Sequence, residues 1–142
     1  MRDYIQVSVY AGTLAALGAF AFLLILSIVI PFLGIDMFLP AFDENFSDLI
    51  LTLIWSIVVG IFYAFIYLLT LIYTGWENSL TKALAVIIII WLIASGPIML
   101  ILNILPPTGE ELLPIIAFFW AHILFAILLR FWVERLRDRF QV

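Results

Sequence analysis

The stretch Val7–Phe32, VSVYAGTLAALGAFAFLLILSIVIPF, contains no charged residue. A helix needs about 20 mostly apolar residues to cross the hydrocarbon layer of a bilayer, and this run exceeds that length. A secretory leader would have an apolar core of only about 7–15 residues. Asp3 beside Arg2 also departs from the basic start of such a leader. The run is therefore expected to remain as a membrane helix.

Three further stretches follow the same logic. Leu49–Tyr73 is uncharged, and Ala83–Leu105 is uncharged with one strongly polar residue, Asn103. Leu112–Leu129 is uncharged, and residues 131–133 extend it past Arg130 to give a fourth span over 112–133. The breaks between spans hold Pro40 and four acids, then Gly75, Glu77 and Asn78, then Pro106, Pro107 and Gly109. The composition agrees: of 142 residues, 67% are hydrophobic and 11% are charged. A soluble domain is about half apolar and about a quarter charged. A globule of this size buries only about two-thirds of its surface and could not hide so much Leu, Ile and Phe from water. Disorder, collagen and a basic nucleic-acid-binding domain are excluded on the same grounds. The expected fold is an all-α integral membrane protein. It is a single domain over 1–142, a four-transmembrane-helix up-down bundle with a short amphipathic C-terminal helix extension at 130–142.

Basic residues in short loops mark the cytoplasmic side of a membrane protein. All six lie in the N-terminal tail (Arg2), the second loop (Lys82) and the C-terminal tail (Arg130, Arg135, Arg137, Arg139). Both termini are therefore expected in the cytoplasm, and a prokaryotic plasma membrane is the expected location. The opposite side holds Asp36, Asp43, Glu44, Asp48, Glu110 and Glu111. These acids match no EF-hand spacing and read as a solvated face. Tyr4, Tyr10, Tyr73, Trp76 and Trp132 fall at the inner interface, where amphipathic rings settle. Thr108 and Glu111 form a capping box for the fourth helix, Ser47 or Asn45 can cap the second, and Gly75 is placed to stop it.

Lipid is as apolar as leucine, so membrane helices associate through small residues that allow close approach. Ala11, Ala15 and Ala19 form one such stripe, with Gly12 and Ala16 beside it. Ser56, Gly60 and Ala64 form a second, and Ala117 and Ala121 a third. Internal packing is the expected use of all three. Gly96-Pro97 is expected to kink the third helix.

His122 sits near the middle of the fourth span, where ionisable side chains are costly and are functional candidates by default. One reading makes it a haem ligand, a quinone hydrogen-bond partner or a proton relay. The other makes it a neutral histidine bonded to a neighbouring helix at the carbonyl of Ile93, Ser95 or Ser56. The second is preferred. With one His and no Cys, the chain supplies no bis-histidine haem site and no thiolate site. Tyr63, Tyr67 and Thr70 share a face of the second helix, and their hydroxyls are expected to snorkel to the interface. In the tail, Glu134 can pair with Arg130 and Arg137, and the arginines are expected to contact anionic lipid or a partner.

No nucleotide-binding loop, hydrolase elbow, zinc-protease motif or pair of intramembrane carboxylates is present, so an enzyme is not expected. The expected function is a structural or accessory role, as a subunit of a larger membrane assembly. The expected partners are the bilayer and other membrane subunits or further copies, with no nucleic acid. A channel, holin-like pore or small transporter built by an oligomer is the first alternative. A haem- or quinone-binding anchor centred on His122 is the second, and no cofactor is otherwise implied.

Overall fold

A computed structural model of the chain describes residues 2–32, 46–94 and 112–140. Those residues form four helices. They are α1 (Arg2–Phe32), α2 (Phe46–Thr74), α3 (Ser79–Ala94) and α4 (Leu112–Phe140). Among the described residues, three helices hold apolar segments long enough to cross a membrane, at Asp3–Val29, Leu49–Thr74 and Ile116–Arg137. The described part of α3 rises about 24 Å at 1.5 Å per residue, short of the roughly 30 Å hydrocarbon core. The remainder of the expected third span, including Ser95, Gly96, Pro97 and Asn103, lies outside the described residues, as do the capping box at Thr108 and Glu111 and the cap candidate Asn45.

Local chemistry explains the helix ends. α2 stops at Thr74 because Gly75 turns left-handed, with φ of 84°, which glycine adopts without a Cβ clash. The α2 carbonyls left open there are met by Lys82, whose Nζ donates to Thr74 O at 3.0 Å and Gly75 O at 2.9 Å. Asn78 also turns left-handed, at φ of 54°, a conformation asparagine tolerates better than most residues. Its carbonyl accepts the N–H of Lys82 at 3.1 Å and so starts α3. α2 begins at Phe46, which puts Ser47 inside the first turn rather than at the cap. Pro114 falls in the first turn of α4, where helices accept proline. α4 then runs unbroken through Arg130, so the fourth span and the tail are one helix.

α1 packs along both α2 and α4, while α3 packs on α4 and more lightly on α2. The main buried cluster joins Val7, Ala11, Ala15 and Ala16 of α1 to Tyr63, Ala64, Tyr67, Leu68 and Leu71 of α2. Ala83 and Ile87 of α3 and Phe125, Ala126, Leu129 and Val133 of α4 complete it. A smaller cluster joins Leu23 to Ala117 and Ala121. Outside these seams the described spans expose many large apolar side chains. Leu51, Trp55, Val58, Phe62, Phe65, Leu69 and Ile72 form an exposed stripe along α2. Such a surface suits lipid and not water.

Candidate functional site

The small residues of α1 and α2 let two backbones touch. Ala11, Ala15 and Ala64 are fully buried, and Gly12 and Gly60 face each other across the seam. A Cβ added to Gly12 would sit 2.6 Å from the Gly60 carbonyl oxygen and from the Ile61 Cα. One added to Gly60 would sit 2.8 Å from the Ala16 Cβ and from the Gly12 carbonyl oxygen. Ala19 packs at the margin of the cluster. Ser56 is half-buried and turns its hydroxyl back to Thr52 O at 2.7 Å. On α4, Ala117 and Ala121 are buried against Leu23. Gly18 of α1 meets α4 through the end of the Leu128 side chain.

Among the described residues, His122 bonds within its own helix rather than to a neighbour. Its Nδ1 lies 2.7 Å from Phe118 O, one turn back. Ser56 is engaged with Thr52, as above. A carbonyl can only accept, so in the neutral ring Nδ1 carries the proton and Nε2 keeps its lone pair. Rings from two other helices flank the imidazole. Tyr63 of α2 lies 6.2 Å away and Trp91 of α3 lies 6.1 Å away, between centroids. Tyr63 also meets Phe125 edge-on, and Trp91 meets Phe119. His122 thus stands in an aromatic setting contributed by three helices. Among the described residues, no group of three or more His, Cys, Asp or Glu side chains is placed to hold a metal ion.

The densest polar arrangement lies elsewhere, where the α2–α3 turn meets α4. Tyr67 is fully buried, and its hydroxyl donates to Ser79 O at 3.0 Å instead of reaching outward. Thr70 turns its hydroxyl back to Ile66 O at 2.9 Å. The snorkelling expected of these two hydroxyls therefore gives way to internal bonds, because buried polar groups take the nearest available partner. Ser79 is itself buried, and its Oγ donates to Glu134 Oε1 at 2.6 Å. The single Nε–H of Arg130 is shared between Ser79 Oγ at 3.1 Å and Glu134 Oε1 at 2.9 Å. The Arg130 and Glu134 side chains are 39% and 41% exposed, so their ion pair adds little beyond these bonds.

The tail arginines are divided by this arrangement. Arg130 is committed to Glu134 and Ser79. Arg137 makes no close ion pair with Glu134, although its charge still acts on that carboxylate; its guanidinium carbon lies 4.4 Å from the centroid of the Trp76 ring. Arg135 is exposed, and the Arg139 side chain lies outside the described residues. Ser79 and the platform role of Trp76 were not legible in the sequence. Ser79 is one hydroxyl among many, and its partner Glu134 lies 55 residues away.

No family model matches the chain, and neither a characterised protein nor a solved structure shows significant similarity to it.

Proposed function

We propose that this chain is a small multi-pass membrane protein with a structural or accessory role, acting as a subunit of a larger membrane assembly and not as an enzyme. The observation that carries the reading is the placement of its polar chemistry. The charged side chains described in the helices lie in the first turns of α1 and α3 and in α4 from Arg130 onward, and the densest polar cluster, around Ser79, is consumed in fastening α4 to the α2–α3 turn. Transport and proton relay ordinarily require ionisable groups along the spans. Apart from the charges that begin at Arg130 near the inner end of the fourth span, and tyrosines aside, His122 alone fills that place, and its Nδ1 is tied to its own helix. The long apolar face of α2 leaves ample surface for lipid or for neighbouring subunits.

The finer topology belongs to the same proposal. The four helices run up and down across a prokaryotic plasma membrane, with both termini and the α2–α3 turn in the cytoplasm. The basic residues at Arg2, Lys82 and the tail support that orientation. Extraction in mild detergent at native expression level, followed by mass analysis of what co-purifies, tests the assignment. Stoichiometric membrane partners or a homo-oligomer are expected, and a protein that always emerges alone and monomeric overturns the subunit role.

A second reading is favoured by one observation, the free lone pair that the tautomer leaves on His122 Nε2 beside Tyr63 and Trp91. A haem iron or the hydroxyl of a quinol would use that atom. Purified protein with no Soret band, and with quinone affinity unchanged by His122→Ala, ends this reading.

A further inference from the structure

Two cations from different helices converge on the three-residue segment 74–76. Lys82, in the first turn of α3, donates to the carbonyls of Thr74 and Gly75. Arg137, near the end of α4, lies over the ring of Trp76. An ammonium has three N–H donors, so Lys82 retains one beyond the two carbonyls. A guanidinium laid on an indole keeps its N–H edge directed away from the ring, and none of the Arg137 N–H groups bonds to a described residue.

The neighbouring charges favour an anion here. Glu134 is bonded to Arg130 and Ser79, and its charge also acts on Arg137 and opposes an anion in part. Glu77 is exposed in the turn and opposes the cations in part. Among the described side chains at this turn, Lys82, Arg130 and Arg137 outnumber Glu77 and Glu134. Trp76 is the kind of ring that settles at headgroup level, and arginine is the side chain best suited to a phosphate.

The geometry points to a binding site for the phosphate of an anionic phospholipid, held by Lys82 and by the Arg137 guanidinium that the Trp76 ring supports. It rests on the membrane reading proposed above. A soluble phosphate would present the same chemistry, so the test separates the two sources.

The experiment is native mass spectrometry of the full chain in neutral detergent, titrated with phosphatidylglycerol, with phosphatidylcholine and with inorganic phosphate. Retention of phosphatidylglycerol over phosphatidylcholine is expected. Arg137→Ala and Lys82→Ala are each expected to weaken it about five-fold, the effect of one basic residue at an anionic surface. Arg137→Lys should restore only part of the loss, and Glu77→Gln should tighten binding. Because Lys82→Ala also uncaps α2, Arg137→Ala and Glu77→Gln decide the matter if that variant fails to fold. Equal retention of the two lipids overturns the site, as does a loss at Arg135→Ala equal to that at Arg137→Ala. Displacement by millimolar inorganic phosphate overturns the lipid assignment in favour of a soluble ligand. Membrane fractionation of the same protein separates the two failures. A membrane-bound chain without lipid preference loses only the site, whereas a chain in the soluble fraction loses the membrane reading itself.

Discussion

Gly12 of α1 and Gly60 of α2 bring their backbones together so closely that neither position has room for a Cβ. In water such a seam would be one contribution among many. In lipid, where apolar side chains gain nothing by leaving the solvent, close backbone approach is a principal source of helix association. Substitution of Gly12 by Ala is expected to force α1 and α2 apart at a cost of about 1–3 kcal/mol. Gly18→Ala meets only the flexible end of Leu128 and is expected to cost less. Denaturant unfolding in detergent micelles gives the comparison. A Gly12→Ala protein as stable as the parent, or a larger loss at Gly18, would remove the seam from the account.

Ser79, Glu134 and Arg130 act as a unit, because one Oε1 and one Oγ serve all three bonds. Ser79→Ala and Glu134→Gln are each expected to destabilise by about 1–2 kcal/mol, below the roughly 1.5–3 kcal/mol of buried hydrogen bonds to a charged group because Glu134 is 41% exposed. The double variant should fall short of the sum by at least about 0.5 kcal/mol, the mark of groups that share partners. Strict additivity would show that the three do not form a network. Tyr67→Phe removes one of the two donors to the Ser79 carbonyl, which keeps its helical N–H partner, and should cost about 1 kcal/mol independently.

His122 ties to no other helix through a hydrogen bond among the described residues, so its removal should be tolerated. His122→Leu is expected to change stability by less than about 1 kcal/mol, since an apolar side chain suits the span at least as well as a neutral imidazole. Thermal unfolding in micelles reads this directly. A large loss would mean that Nε2 has a partner that matters to the fold, and the haem or quinol reading would then gain weight.

The chain has no cysteine, so its topology can be read with single introduced thiols. Asn78→Cys in the α2–α3 turn and Arg135→Cys in α4 are expected to react with a membrane-impermeant maleimide only after the cytoplasmic side is opened. Labelling of either position in intact cells would reverse the proposed orientation. Labelling of one but not the other from the same side would break the up-down arrangement.

Much of the architecture was legible because it is local. The uncharged run Val7–Phe32 is long enough to span a bilayer whatever surrounds it, and α1 covers all of it. Gly75 ends α2 because only a residue without Cβ takes a φ of 84° freely. Small residues at Ala11, Ala15, Gly60 and Ala64 mark faces where helices can approach, and all four are buried.

What sequence could not decide is the rotation of each helix about its axis. In a soluble protein the polar face shows which side is outward. In these helices both faces are apolar, so periodicity does not separate core from lipid: Tyr67 is fully buried while Tyr73 of the same helix is 83% exposed. Partner choice follows rotation. Tertiary structure alone brought Ser79 to Glu134, laid Arg137 on Trp76, and set Tyr63 and Trp91 beside His122. Run length and charge position are properties of a segment and survive in the linear chain. A hydrogen bond between residues 55 apart exists only once the depth and rotation of both helices are set, and packing sets those.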